Sequence, residues 1–281
     1  MFSYFTATIV LIFLGYAVIY PLLLWITPLN KIDSGFYRFN MGLCCIIGAL
    51  GIIGFHFISK NFVSEIYLWI WLLLMLFVTA INWNSKTINN YIITAISVIG
   101  CIILAQILPN LLSSVNLTAA LIVILMNSII TAAVFFSMIL GHWYLNVVSL
   151  PIILLKRSII VLSFFLSIRI FWNIIYFFMT NYIDNYGISY NLWSFMFQFD
   201  GFLLGIAFFI GNVFPIILNF LIWRTLKLQA TQSATGLLYV SVLSILFSDL
   251  ILKSSNNPPW TIPNKPLCGL EPKAFFDLEA Q

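Results

Sequence analysis

Runs of about 20 predominantly apolar residues follow one another along the 281-residue chain, separated by short polar breaks. An α-helix of that length crosses the hydrocarbon core of a bilayer, which is about 30 Å thick. Only 7% of the residues are charged, against roughly 25% in soluble domains. That is too little charge to cover a water-facing surface. We therefore predict an all-α polytopic integral membrane protein with short loops and about eight transmembrane helices, at residues 5–27, 40–58, 64–82, 89–109, 117–141, 157–180, 197–223 and 232–252.

Prolines mark several boundaries in this pattern. Pro21 should break the first span and Pro28 should close it, and Pro109 should stop the fourth, because proline removes a helix hydrogen bond. Residues 253–281 are rich in proline and cannot form one helix. The chain thus divides into a helical bundle over residues 1–252 and an extended tail, which we expect to contact a partner on the outer side of the membrane.

Lysine and arginine in the short loops predict the orientation. The loops that follow the odd-numbered spans hold seven of these residues, whereas Lys60 stands alone in the short loops of the opposite side. Because cytoplasmic loops carry the excess of basic residues, the first set faces the cytoplasm, or the matrix or stroma of an organelle. With eight spans, both termini are then non-cytoplasmic. A bacterial inner membrane or an organellar inner membrane would fit. The seven residues are Lys31, Arg38, Lys86, Lys156, Arg157, Arg224 and Lys227.

Arg169 is the clearest candidate for a functional residue. It lies about 12 residues into the sixth span, close to the middle of the bilayer, where a charge is costly unless it is paired or hydrated. Asn173 and Tyr176 follow at helical spacing, so one face of this span is a polar stripe leading outward. The stripe is typical either of an anion, headgroup or proton site or of a structural ion pair between packed helices.

Three carboxylates are candidate partners for Arg169. Asp200 ranks first, because it begins the seventh span and a short connection makes spans six and seven antiparallel neighbours. Asp249, near the outer end of span eight, and Glu65, at the start of span three, are the alternatives.

The two histidines suggest a cofactor, but not a shared one. His56 ends the second span and His142 ends the fifth, so the predicted topology puts them in opposite leaflets. A haem ligated by both is therefore disfavoured. A haem held by one histidine, or a quinone carbonyl bound by His142 at the cytoplasmic surface, remains open. Asn127, Thr131 and Met138 share the face of His142, and such a polar stripe typically faces a neighbouring helix.

Span seven contains a further irregularity. Pro215 lies within it, flanked by Asn212 and Asn219, which predicts a kink with amides beside it. Three serines of span eight, Ser241, Ser244 and Ser248, lie on roughly one face and can return hydrogen bonds to their own helix or bond across to a neighbouring one.

Motifs for catalysis, metal binding and nucleic-acid binding are absent from the sequence. This favours a non-catalytic membrane subunit of a larger complex, one that converts energy or transfers electrons. Its partners would be the lipid bilayer and other membrane subunits, with quinone, haem or lipid as candidate cofactors. A small-anion or solute transporter that uses Arg169 is the first alternative. A membrane enzyme acting on lipid or a redox cofactor is the second.

Overall fold

The computed structural model describes residues 2–28, 32–59, 61–83, 89–111, 117–147, 150–179, 181–183, 189–195 and 202–254. Within them, eight helices are long and apolar enough to cross a membrane, which confirms the predicted number. The proline-rich tail lies outside the described residues. The candidate spans are Phe5–Ile26, Ser34–Ile58, Phe62–Ile81, Asn90–Leu111, Leu117–Asn146, Ile153–Ile175, Gly205–Lys227 and Thr231–Ile251.

Some spans consist of more than one element. A 3-10 helix continues α1 through Tyr20–Ile26, and a π-helix over Phe209–Val213 separates α8 from α9. The α-helices are α1 (Phe2–Ile19), α2 (Ser34–Ile58), α3 (Phe62–Ile81), α4 (Asn90–Leu111), α5 (Leu117–Asn146), α6 (Ile153–Met179), α7 (Leu192–Phe195), α8 (Phe202–Phe208), α9 (Phe214–Lys227) and α10 (Thr231–Ser254).

The predicted break at Pro21 is the 3-10 segment. Proline clashes with the carbonyl four residues earlier, so the backbone winds more tightly at this point. The end of the segment is held by α2, where the Tyr37 hydroxyl donates to the Thr27 carbonyl at 2.9 Å and to the Leu24 carbonyl at 3.2 Å. These bonds satisfy backbone acceptors that a helix end leaves open.

Helices α1 and α5 form the centre of the bundle. In their most apolar windows 72% and 61% of the residues are buried, against 28% in α3, which lies at the edge. Helix α1 packs against α2, α4, α5 and α10. A Cβ on Gly15 of α1 would overlap the Ser128 hydroxyl of α5, so only glycine permits this close approach.

Several helix ends differ from the predicted ones. Helix α4 continues through Pro109 to Leu111, because proline restricts the residues before it and not those after it. Helix α5 extends past Gly141 to Asn146, and α6 begins at Ile153, earlier than predicted. Polar residues at these ends did not stop the helices.

The connection after α6 contains a small β-ribbon, which the all-α prediction did not include. Strand β1 (Asn181–Ile183) pairs antiparallel with β2 (Ser189–Asn191), and Tyr182 lies opposite Tyr190. Tyrosine and isoleucine have high β-propensity, which explains extended structure in a segment predicted only as a polar loop.

Candidate functional site

Arg169 forms an ion pair inside the bundle. Its Nη2 atom lies 2.8 Å from Oδ1 of Asp249, and both side chains are only 1% exposed. The Thr131 hydroxyl donates to Oδ2 of the same carboxylate at 3.3 Å. The cluster thus joins α5, α6 and α10, and its two charges cancel.

Arg169 lies well inside α6. With a rise of about 1.5 Å per residue, it is about 24 Å from the beginning of α6 at Ile153 and about 15 Å from its end at Met179. An unpaired charge at this depth would cost several kcal/mol, so the contact with Asp249 is what makes the position tolerable.

Asp249, one of the two alternatives, is therefore the partner that the structure gives Arg169. The first-ranked candidate, Asp200, lies outside the described residues. Glu65 is engaged elsewhere, since both its oxygens lie 3.0 Å from His56 Nδ1 and it accepts a bond from Trp69 Nε1 at 3.3 Å.

Asn173, one turn after Arg169 on α6, contacts the segment between α8 and α9. Asn173 donates from Nδ2 to Oδ1 of Asn212 at 3.0 Å, and Asn212 donates in turn to the Phe208 carbonyl at 2.9 Å. The predicted stripe on α6 therefore faces another helix over Arg169 and Asn173. The side chain of Tyr176, its third member, lies outside the described part of the structure.

Asn212 belongs to the π-helix, which is the irregularity predicted around Pro215. Pro215 has no N–H to offer the carbonyl of Gly211, and π-helical turns often occur at functional sites. Helix α10 covers this region, where the Ser248 hydroxyl donates to the Ala207 carbonyl at 2.8 Å and the Ser244 hydroxyl donates to the Ile210 carbonyl.

Gly211 is what lets α10 approach so closely. A Cβ at this position would overlap the side chain of Ser248. Of the two alternatives predicted for the serines of span eight, Ser244 and Ser248 take the bond across to a neighbouring segment.

The two histidines lie at opposite ends of the bundle. Phe36, near the beginning of α2, packs edge-on against Trp143, near the end of α5, with ring centroids 5.5 Å apart. His56 follows Phe36 by 20 residues on α2, which is about 30 Å. One iron cannot bind both His56 and His142. No group of three or more His, Cys, Asp or Glu side chains among the described residues could hold a metal ion.

His142 lines a cavity of about 350 Å³, which we call the inner cavity. Its walls come from α2, α5 and α10. They combine aromatic and apolar side chains with four residues that can form hydrogen bonds, His142, Trp143, Asn146 and Tyr239. The lining residues are Phe39, Met138, Ile139, His142, Trp143, Asn146 and Tyr239.

Trp143 contributes an unusual feature to this cavity. Its Nε1 is buried and has no hydrogen-bond partner among the described residues. Because an indole N–H can only donate, Trp143, a residue of the cavity lining, carries a donor that lacks an acceptor.

A second hollow, the α6–α9 groove, has a volume of about 330 Å³. Two serines and an asparagine lie in it among apolar side chains. Asn219 donates to Ser163 at 3.1 Å, while its Oδ1 is buried without a donor among the described residues, and Ser167 is exposed. The groove residues are Ile159, Ile160, Ser163, Ser167, Ile216, Asn219, Phe220 and Trp223.

Sequence reasoning found part of these sites. The stripe on α5 does face a neighbouring helix, since Thr131 bonds to Asp249 of α10. Tyr239 and Asn146 were missed as neighbours of His142. Tyr239 comes from α10, far away in the chain, and no local pattern connects it to α5.

No model of a known protein family, no curated protein and no solved structure matches this chain.

The ion pair should dominate the stability of the bundle. Asp249→Leu leaves the Arg169 charge buried without its partner, so we expect a loss of about 3–5 kcal/mol, seen as a lower thermal unfolding midpoint in detergent. The double variant Arg169→Met/Asp249→Leu removes both charges and should recover most of that loss.

Glu65→Gln provides the matched control. It alters an exposed pair with His56 and should change stability by less than about 1 kcal/mol. A double variant no more stable than Asp249→Leu would show that the charges are not coupled.

Proposed function

We propose that this chain is a non-catalytic membrane subunit of an energy-converting or electron-transfer complex, and that it binds a quinone-class ring in the inner cavity. The observation that carries the proposal is the convergence of His142, Asn146 and Tyr239 with aromatic walls in one cavity of about 350 Å³. Ligand sites are commonly cavities of roughly 300–1,000 Å³ with mostly apolar walls and a few placed polar groups.

The chemistry of the lining suits a ring that carries carbonyl groups. Histidine, asparagine and tyrosine can each donate a hydrogen bond to a carbonyl oxygen. Trp143 adds an indole N–H that lacks an acceptor. Phe39 and Trp143 offer faces or edges on which a flat ring can pack. A quinone supplies both the acceptors and the flat ring, and its isoprenoid chain can extend into the bilayer.

The charge balance at Arg169 argues against the transporter alternative. An anion-selective site needs uncompensated positive charge, whereas Arg169 lies 2.8 Å from the Asp249 carboxylate. The net charge of the pair is zero, so it offers little attraction to a passing anion. This favours a binding subunit over an anion channel.

The α6–α9 groove supports the assignment to a larger complex. Serine and asparagine side chains in bilayer-facing positions typically bond across to another helix. Asn219 Oδ1 is buried without a donor among the described residues, and the exposed Ser167 hydroxyl, which donates to the Ser163 carbonyl at 2.9 Å, can still accept a hydrogen bond from a partner. We propose that a transmembrane helix of a partner subunit occupies the groove and supplies hydroxyl or amide groups to these positions.

The orientation is also a proposal. Arg38 lies near the beginning of α2, Lys156 and Arg157 near the beginning of α6, and Arg224 and Lys227 near the end of α9. Phe36 contacts Trp143, so the beginning of α2 lies beside the end of α5. We place this basic end, with the inner cavity, on the cytoplasmic, matrix or stromal side.

Quinone binding should depend on His142. A water-soluble short-chain quinone should quench tryptophan fluorescence of the purified protein through Trp143, and His142→Leu should weaken its Kd about tenfold, the loss of roughly 1.4 kcal/mol. His56→Leu, at the other end of the bundle, should leave the Kd unchanged. Absence of binding by the parent, or equal binding by His142→Leu, would refute the quinone site.

Partner subunits should accompany the chain through purification. After extraction in mild detergent, we expect stoichiometric membrane proteins in the mass spectrum of the affinity-purified protein. Ser167→Leu, which fills the α6–α9 groove, should reduce their yield severalfold. Val98→Leu, at an exposed position of α4, should not. A chain that emerges alone would count against the complex.

Cysteine labelling tests the orientation. In intact cells or organelles, Asn61→Cys should react with a membrane-impermeant maleimide, and Lys227→Cys should react only after permeabilisation, with labelling of the parent subtracted. The reverse pattern would invert the topology.

A further inference from the structure

Arg169 has hydrogen-bonding capacity that Asp249 does not use. Its Nη1 atom is buried and has no hydrogen-bond partner among the described residues, and the same holds for Nε1 of Trp172, one turn further along α6. Arginine and tryptophan side chains can only donate hydrogen bonds. Both positions therefore require an acceptor that the described part of the chain does not provide.

Two serine hydroxyls show the same deficit. Ser137 of α5 and Ser241 of α10 are completely buried, and neither hydroxyl has a partner in the part of the chain that the structure describes. Buried serines on the same helices do have partners. Ser128 donates to the Ile124 carbonyl at 2.8 Å, and Ser248 to the Ala207 carbonyl. The lack of a hydrogen-bond partner is therefore specific to Ser137 and Ser241 and is not shared by all buried serines of these helices.

The contacts between α5 and α10 show at which level Ser137 and Ser241 lie relative to the ion pair. Thr131 bonds to Asp249, and a Cβ on Gly141 would come within 2.7 Å of Thr235 Oγ1, so the two helices run antiparallel. Between these contacts, Ser137 and Ser241 fall at about the same level. They lie about 9 Å and 12 Å along the helix axes from Thr131 and Asp249.

Leaving these groups unsatisfied would be expensive. A buried polar group without a hydrogen bond destabilises the fold, and a charged one does so more strongly. Folded proteins are only marginally stable, so four such groups along one seam would be a heavy cost.

Water is the ligand that can form hydrogen bonds with all four of these groups. It can accept from Arg169 and Trp172 and can both donate to and accept from the serine hydroxyls. Buried waters typically make about three hydrogen bonds to groups of this kind. An anion gains little here, because Asp249 already neutralises Arg169.

We propose that a file of internal water molecules fills the seam between α5 and α10, from Ser137 and Ser241 to Arg169 and Trp172. At about 2.8 Å per hydrogen bond, three or four waters span the distance. The file ends at the level of Ser137 and Ser241, inside the bundle, because Tyr239, two residues before Ser241, lies on a different face of α10. The file would let protons move between this level and the ion pair.

Thiol exchange tests the file without a bulky probe. Ser137→Cys and Ser241→Cys are nearly isosteric, and the S–H stretch of each new thiol can be followed by infrared difference spectroscopy after transfer to D2O, with the parent subtracted. We expect both thiols to exchange at least tenfold faster than that of Ser128→Cys, the matched buried control. Exchange as slow as in the control would overturn the proposal.

The protein without any serine substitution provides an independent test at the ion pair. In 15N-tryptophan-labelled protein, the Trp172 indole N–H, assigned with Trp172→Phe, should show magnetisation exchange with water. The Trp71 N–H, which donates to the Ile96 carbonyl at 3.0 Å, should not. A Trp172 signal without water exchange would equally overturn the proposal.

Discussion

The contact between Arg169 and Asp249 constrains how α5, α6 and α10 pack in the bundle. Both side chains are almost fully buried, and neither charge could remain at that depth without the other. Helices α6 and α10, which both pack against α5 and α9, are therefore linked by this ion pair, and Thr131 of α5 completes the shell of the carboxylate. The order of these three helices follows from electrostatics in a medium that cannot solvate ions.

The close approach of α10 to its neighbours depends on small residues and hydroxyls. Gly211 leaves room for Ser248, and two serine hydroxyls bond to carbonyls of the irregular segment before Pro215. In lipid, burial of apolar surface does little to hold helices together, so close packing and hydrogen bonds must do so. Helix α10 touches α1, α5, α8 and α9 in this way and connects the ion pair to the inner cavity.

Much of the architecture could be predicted from the sequence, for a simple physical reason. A helix that faces lipid must be apolar over about 20 residues, so the eight helices are visible in composition alone. Pro21 and Pro215 do coincide with irregular helical turns, because each removes a backbone hydrogen bond, whereas α4 continues through Pro109 near its end. Contacts between helices that are far apart in the sequence were harder to predict. The ranking of Asp200 first rested on chain proximity, whereas Asp249 reaches Arg169 from a helix that is not its neighbour in sequence. Tyr239 was missed as a neighbour of His142 for the same reason, because α10 and α5 are far apart in the sequence.

The pairing of α6 with α10 also has a consequence for biosynthesis. Arg169 precedes Asp249 by 80 residues, so the chain is made and inserted with the cation present long before its counter-ion. Until the eighth span arrives, the sixth carries an uncompensated charge, which keeps it marginal as a lipid-embedded segment. Arrival of the last helix neutralises that charge and completes the packing around α5. The cluster of Arg169, Asp249 and Thr131 can therefore form only after the last of the eight helices has been made.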